Sequence, residues 1–240
     1  MPDRGFSSVS HPGNATAKPT AVALSMLVSS LTGRPAAPET SGACEAALWA
    51  LGQALEVHDS EVKGHTDRVT ELARWMAEAL AWSPSQRQAL RWGAYLHDVG
   101  KIEIPDTVLY KPYKPGPLDA SEWAAMRSHV EGGVQFAAEL GFVPETTLQV
   151  IADHHERWDG QGYPAGKAGC QISLAGRVLA LCDVYDALIS DRPYKKAWTP
   201  QEALVEIGAQ AGRQFDPVLT EVFVALLRQR RADADWAGLS

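Results

Sequence analysis

The chain has 240 residues, 45% of them hydrophobic and 21% charged, the balance of a soluble globular protein with one large domain or two small ones. A formal net charge of -7 argues against a general polyanion-binding surface, so no DNA or RNA polymer is an expected partner; an anionic substrate held at a metal-charged site stays open. Cys44, Cys170 and Cys182 are odd in number and show no CxxC spacing, which excludes a disulfide framework or zinc knuckle and makes a reducing cytoplasm the expected location.

Residues 1–42 are rich in Pro, Gly, Ser, Thr and Ala and read as a tail or linker. Their apolar run Ala21–Leu31 is too short to span a bilayer, so no membrane association is expected. It can form a short helix that docks on the domain or on a second copy, which makes a homodimer a candidate assembly. The domain proper is expected over residues 43–240.

From Cys44 the apolar spacing is helical almost throughout. Ala46, Leu48, Trp49, Leu51 and Leu55 mark a first helix ending near His58-Asp59, and Val69, Leu72, Ala73 and Met76 mark a second from about Glu61 to Leu80. Ser83-Pro84-Ser85-Gln86 combines a capping serine, a proline at the first helical position and a capping-box glutamine, opening a helix that carries His97-Asp98. Asp119 and Glu122 form another capping box, predicting one helix through His129 to about Leu140. Pro144 starts a helix ending around His154-His155. A glycine- and proline-rich loop covers Asp159–Gly169. Ser173 caps a helix through Asp183 to about Ser190, Thr199 with Glu202 forms a further capping box, and Asp216-Pro217 begins the last helix. No useful strand alternation appears, so the fold class is all-α, a bundle of about seven or more helices.

The candidate ligands are spread along this pattern. His97-Asp98, in the stretch Leu96–Pro105, places an imidazole beside a carboxylate, with Lys101 where a cation could meet a phosphate. Glu61 and His65 are four apart, on one face if that segment is helical. His129 precedes Gly132-Gly133, which allow another element to approach closely. His154-His155 sit at a helix end. Asp183 lies in the apolar run Val178–Leu188, where an unpartnered carboxylate would be costly to bury. A set of His and carboxylates without thiolate favours Fe, Mn or Zn. The set exceeds what one ion needs, so two or three divalent ions are expected, a pattern of metal-assisted phosphoryl chemistry.

Taken together, His97–Pro105, His129-Val130-Glu131-Gly132-Gly133, His154–Pro164, Asp183–Leu188 and Ser190–Lys195 resemble the HD-GYP domain, a branch of the HD metal-dependent phosphohydrolases. The likeness covers roughly residues 45–228. One departure is that the glycine of Glu61-Val62-Lys63-Gly64-His65 sits one position later than the family often has it. The resemblance implies a helical HD fold with Fe or Mn held by Glu61, His65, His97, Asp98, His129, His154, His155 and Asp183. It implies Asp98 and Lys101 as catalytic residues, and Lys101, Arg192 and Lys195 as contacts to substrate phosphates. The implied activity is hydrolysis of cyclic di-GMP by a metal-bridging hydroxide, giving linear pGpG and, after a second turnover, GMP. The loop around Tyr163 is the implied docking point for a signalling partner. The alternatives are an HD phosphohydrolase of another nucleotide or phosphoester, and a non-catalytic cyclic-dinucleotide-binding module.

Overall fold

The computed structural model describes residues 40–59, 63–110, 117–191 and 195–232. Among these the regular structure is helical: α1 (Thr40–Asp59), α2 (His65–Ala79), α3 (Pro84–Leu96), α4 (Asp106–Leu109), α5 (Ala120–Arg127), α6 (His129–Glu139), α7 (Glu145–Asp153), α8 (Leu174–Ile189), α9 (Pro200–Ala209) and α10 (Pro217–Ala232). A 3-10 turn, Val99–Glu103, follows α3, and Ala211 and Phe215 form an isolated bridge.

Helix boundaries fall where side chains replace missing backbone partners. Ser83, Asp119 and Thr199 each accept from the third residue of their helix, and Gln86, Glu122 and Glu202 return the bond to the capping residue. Two expectations need correction. The single helix expected from Asp119 to Leu140 is two, α5 and α6, broken at Ser128–His129. The helix expected from Glu61 starts at His65, because Gly64 takes φ +83, a left-handed conformation, and Lys63–Gly64 form a turn. Glu61 itself lies outside the described residues, as do Arg192 and the apolar run Ala21–Leu31.

Helix α3 is the hub, packing on α1, α2, α7 and α8. On one side, α2, α8, α9 and α10 bury a core that includes Met76, Leu179, Tyr185, Leu204 and Phe223. On the other, α1, α3, α6 and α7 bury Leu48, Leu51, Leu96, Phe136 and Ile151. Full burial of such a side chain contributes about 1.5–3 kcal/mol. Some contacts are tight enough to require glycine, two of them around α3 and the turn that follows it. A Cβ on Gly93 would lie 2.4 Å from Val150 Cγ1 of α7, and one on Gly100 would lie 1.9 Å from the His129 carbonyl oxygen. The second contact presses the turn after His97-Asp98 onto the start of α6. The close approach expected at Gly132-Gly133 is therefore to Gly100 and Glu103.

Candidate metal centre

His97, His129 and His154 are buried where helices end, and each uses that position in the same way. The last carbonyls of a helix lack intrahelical partners. His97 Nδ1 meets the Ala94 carbonyl at 2.9 Å, His129 Nδ1 the Met126 carbonyl at 2.6 Å, and His154 Nδ1 the Ile151 carbonyl at 2.7 Å. A carbonyl only accepts, so each Nδ1 donates its hydrogen and each Nε2 presents a lone pair. The break between α5 and α6 thus has a purpose, since it releases the Met126 carbonyl that holds His129.

The three Nε2 atoms converge on Asp98. They lie 3.2 Å (His97, to Oδ2), 3.4 Å (His129, to Oδ1) and 3.9 Å (His154, to Oδ1) from its carboxylate. These Nε2 atoms and Asp98 Oδ1 are buried with no hydrogen-bond partner. Lone pairs aimed at a carboxylate repel one another unless positive charge lies between them, so the donor set fits a cation. Electrostatics mark the same demand for positive charge. Burial disfavours the charged form of His97, yet the Asp98 carboxylate outweighs it and pushes the imidazole up to about 10, so that with no cation at the centre a proton on His97 takes that place. Burial, joined by neighbouring histidines, drives His155 down to about 3 and His154 well below its usual range, leaving them neutral donors.

Asp98 belongs to two overlapping groups. Asp98, His129, His154 and His155 offer ligand atoms within 4.8 Å of one another, and so do His65, His97 and Asp98. Its carboxylate is the member common to both. Asp183 adjoins the second group, with Oδ1 3.5 Å from His65 Nε2. Lys101 Nζ reaches Asp98 Oδ2 at 2.7 Å, and Lys101 with His97 holds that carboxyl well below the usual range against the effect of burial. Lys195 follows α8 in the chain, its Nζ 4.8 Å from the Trp198 ring centroid.

Several buried residues that hold the ligands went unnoticed in the sequence. Asp186, one turn after Asp183, takes His65 Nδ1 at 2.8 Å and the Arg68 guanidinium at 2.5 and 3.0 Å. This carboxylate–histidine pair fixes the ring so that Nε2 faces the centre. The legible signal was the i,i+3 repeat of acids within an apolar helix. Glu56 accepts from the backbone N–H of Gly64 (2.9 Å) and of Thr66, anchoring the start of α2 at His65. Glu156 accepts from Ala165 (2.8 Å) and Lys167 (3.0 Å), folding the loop that brings Tyr163 to a ring distance of 4.7 Å from His155. Both glutamates act on backbone across a turn, which periodicity does not report.

Residues 50–219 match the family model described as HD domain. The chain is 41% identical over 182 residues to the cyclic di-GMP phosphodiesterase response regulator RpfG of Xanthomonas campestris, covering 75% of this chain and 46% of that protein. It is 38% identical over 178 residues to 3'3'-cGAMP-specific phosphodiesterase 2 of Vibrio cholerae, covering 74% and 34%. The chain therefore spans between about a third and a half of these relatives' length. Among solved structures, a cyclic GMP-AMP specific phosphodiesterase of V. cholerae superposes with a TM-score of 0.62 at 23% identity, covering 78% of this chain and 49% of that one. An HDG"Y"P protein from Bdellovibrio bacteriovorus superposes with a TM-score of 0.58 at 18% identity, covering 91% and 75%. With the family model spanning most of the helical bundle and the centre built on adjacent His97 and Asp98, the chain belongs to the HD-domain family.

Proposed function

We propose that the chain is a metal-dependent phosphodiesterase of the HD-GYP branch that hydrolyses cyclic di-GMP to linear pGpG, with GMP as the product of a second turnover. The observation that carries this reading is Asp98, shared by two groups of histidine side chains. Divalent ions, Fe or Mn by donor chemistry, would supply an activated water and neutralise charge on the phosphate. Water oxygen adds to phosphorus, the bond to the 3′ oxygen breaks, and that oxygen takes up a proton.

The chain's own residues divide this work. His65, His97, His129, His154 and His155, with Asp98 and Asp183, are the proposed ligands, and Glu61 would add a carboxylate for a third ion. Lys101 Nζ, beside Asp98, is the proposed phosphate contact and proton donor to the leaving oxygen. Arg192 and Lys195 would hold the remaining phosphate. The free cysteines suit a reducing cytoplasm, and among the described residues no helix is long and apolar enough to cross a membrane. A second copy of the chain and a signalling protein at the Tyr163 loop are the proposed partners.

The relative named for 3'3'-cGAMP favours one second reading, the mixed cyclic dinucleotide as substrate. Anaerobic metal stripping, reloading with Fe(II) or Mn(II), and chromatography of products from each cyclic dinucleotide test both. Metal-restored conversion of cyclic di-GMP to pGpG is expected. Turnover of cGAMP alone would move the assignment to that substrate. Hydrolysis of simple nucleotides with neither cyclic dinucleotide consumed would place the chain with other HD phosphohydrolases.

A further inference from the structure

Helix α5 is unusual in burying none of its residues. Ala125 and Met126 pack partly on the small cluster of Ile104, Val108 and Leu109, yet Trp123 stands 47% exposed. Trp123 and Arg127 are four apart and so share one face of the helix. The Arg127 guanidinium lies 5.8 Å from the Trp123 ring centroid and 5.1 Å from that of Tyr163. Tyr163 in turn is 4.7 Å from the His155 ring, which is 5.1 Å from His129. An unbroken row of flat groups therefore runs from the exposed surface of α5 to the metal centre.

Two features suit this row to a nucleobase better than to the core. Trp123 contributes an open ring face, which a base can stack on whatever its identity. Arg127 makes no hydrogen bond or ion pair with any described residue, although it is a forked donor held against two aromatic rings. A guanidinium placed in this way keeps its N–H edge for a ligand. That edge matches the paired acceptors O6 and N7 of guanine, whereas adenine offers a donor at the equivalent position.

We propose that Trp123 and Arg127 form a guanine subsite, Trp123 stacking one base of the cyclic dinucleotide and Arg127 reading its O6 and N7. The subsite rests on the phosphodiesterase reading above, because its ligand is the base of the phosphodiester that the centre would cleave. It supplies what the metal centre lacks, since ions and histidines meet only the phosphate.

The test compares kcat/KM of the Mn(II)-loaded protein for cyclic di-GMP and cyclic di-AMP in Arg127→Ala, Arg127→Lys, Trp123→Ala and Trp123→Phe. Arg127→Ala should lower the preference for cyclic di-GMP about 5- to 150-fold, and Arg127→Lys should not restore it, since lysine lacks the fork. Trp123→Ala should weaken both substrates about 5- to 150-fold and Trp123→Phe should recover most of the loss. An equal fall for both substrates in Arg127→Ala would put Arg127 on a phosphate and overturn the base assignment, as would unchanged kinetics. If the wild type cleaves no cyclic dinucleotide, the phosphodiesterase reading fails, and calorimetry of GMP and AMP with metal-free protein judges the subsite alone. Preference for GMP that vanishes in Arg127→Ala supports it; equal affinity for the two nucleotides overturns it.

Discussion

Asp98 and Asp186 are the same residue type in any composition count, yet they face different partners. Asp98 looks at histidine lone pairs and a lysine, while Asp186 is enclosed by His65 Nδ1 and the Arg68 guanidinium. Asp186 therefore cannot be a direct donor without giving up His65. Its effect on the centre runs through that ring. Asp186→Asn keeps the shape but removes the charge that raises the basicity of His65, so Mn(II) affinity should fall about 10- to 100-fold. Isothermal titration of the metal-free variant measures this. Affinity equal to wild type would leave Asp186 with a purely structural task beside Arg68. The sequence marked Asp183 because a carboxylate in an apolar run demands a partner, and the same reasoning applied to Asp186 would have found it.

The elements position these residues through contacts too close for any side chain but hydrogen. Gly100 lets the turn after His97-Asp98 rest against the His129 carbonyl, so a Cβ there cannot be absorbed by a flexible neighbour. Gly100→Ala should cost about 3 kcal/mol or more, because backbone must move to relieve the overlap. Gly208→Ala is the control, since nothing lies within 4 Å of a Cβ at that helical site and a gain of about 0.4–1 kcal/mol is expected. Urea denaturation of both variants reads the difference; a loss under about 0.5 kcal/mol for Gly100→Ala would contradict the packing described. Capping boxes at Ser83, Asp119 and Thr199 made three helix starts legible, because the chemistry is local. The break at Ser128 was not. Ala124, Ala125, Met126 and Arg127 all favour helix, and what stops α5 is the tertiary demand of His129 for a carbonyl.

Across the described residues, α3 serves both cores, and the centre lies where its C-terminal end and the 3-10 turn after it meet α2, α6, α7 and α8. The candidate ligands come from five separated segments, around His65, His97-Asp98, His129, His154-His155 and Asp183. Such dispersal explains what the sequence could show. Residue types and their order were legible as recurring His and Asp motifs. Convergence was not, since it depends on which histidines turn Nε2 toward Asp98 and which neighbours fix them there. Removing a carboxylate common to both groups should disturb two ions at once, whereas removing a peripheral ligand should disturb one. The most direct measurement is therefore elemental analysis of wild type and Asp98→Ala after anaerobic loading with excess Mn(II) and desalting. The wild type should hold at least two ions per chain and the variant should lose about two, with helical circular dichroism retained. A variant that keeps the wild-type stoichiometry, or a wild type that binds a single ion, would contradict a centre built on a shared Asp98.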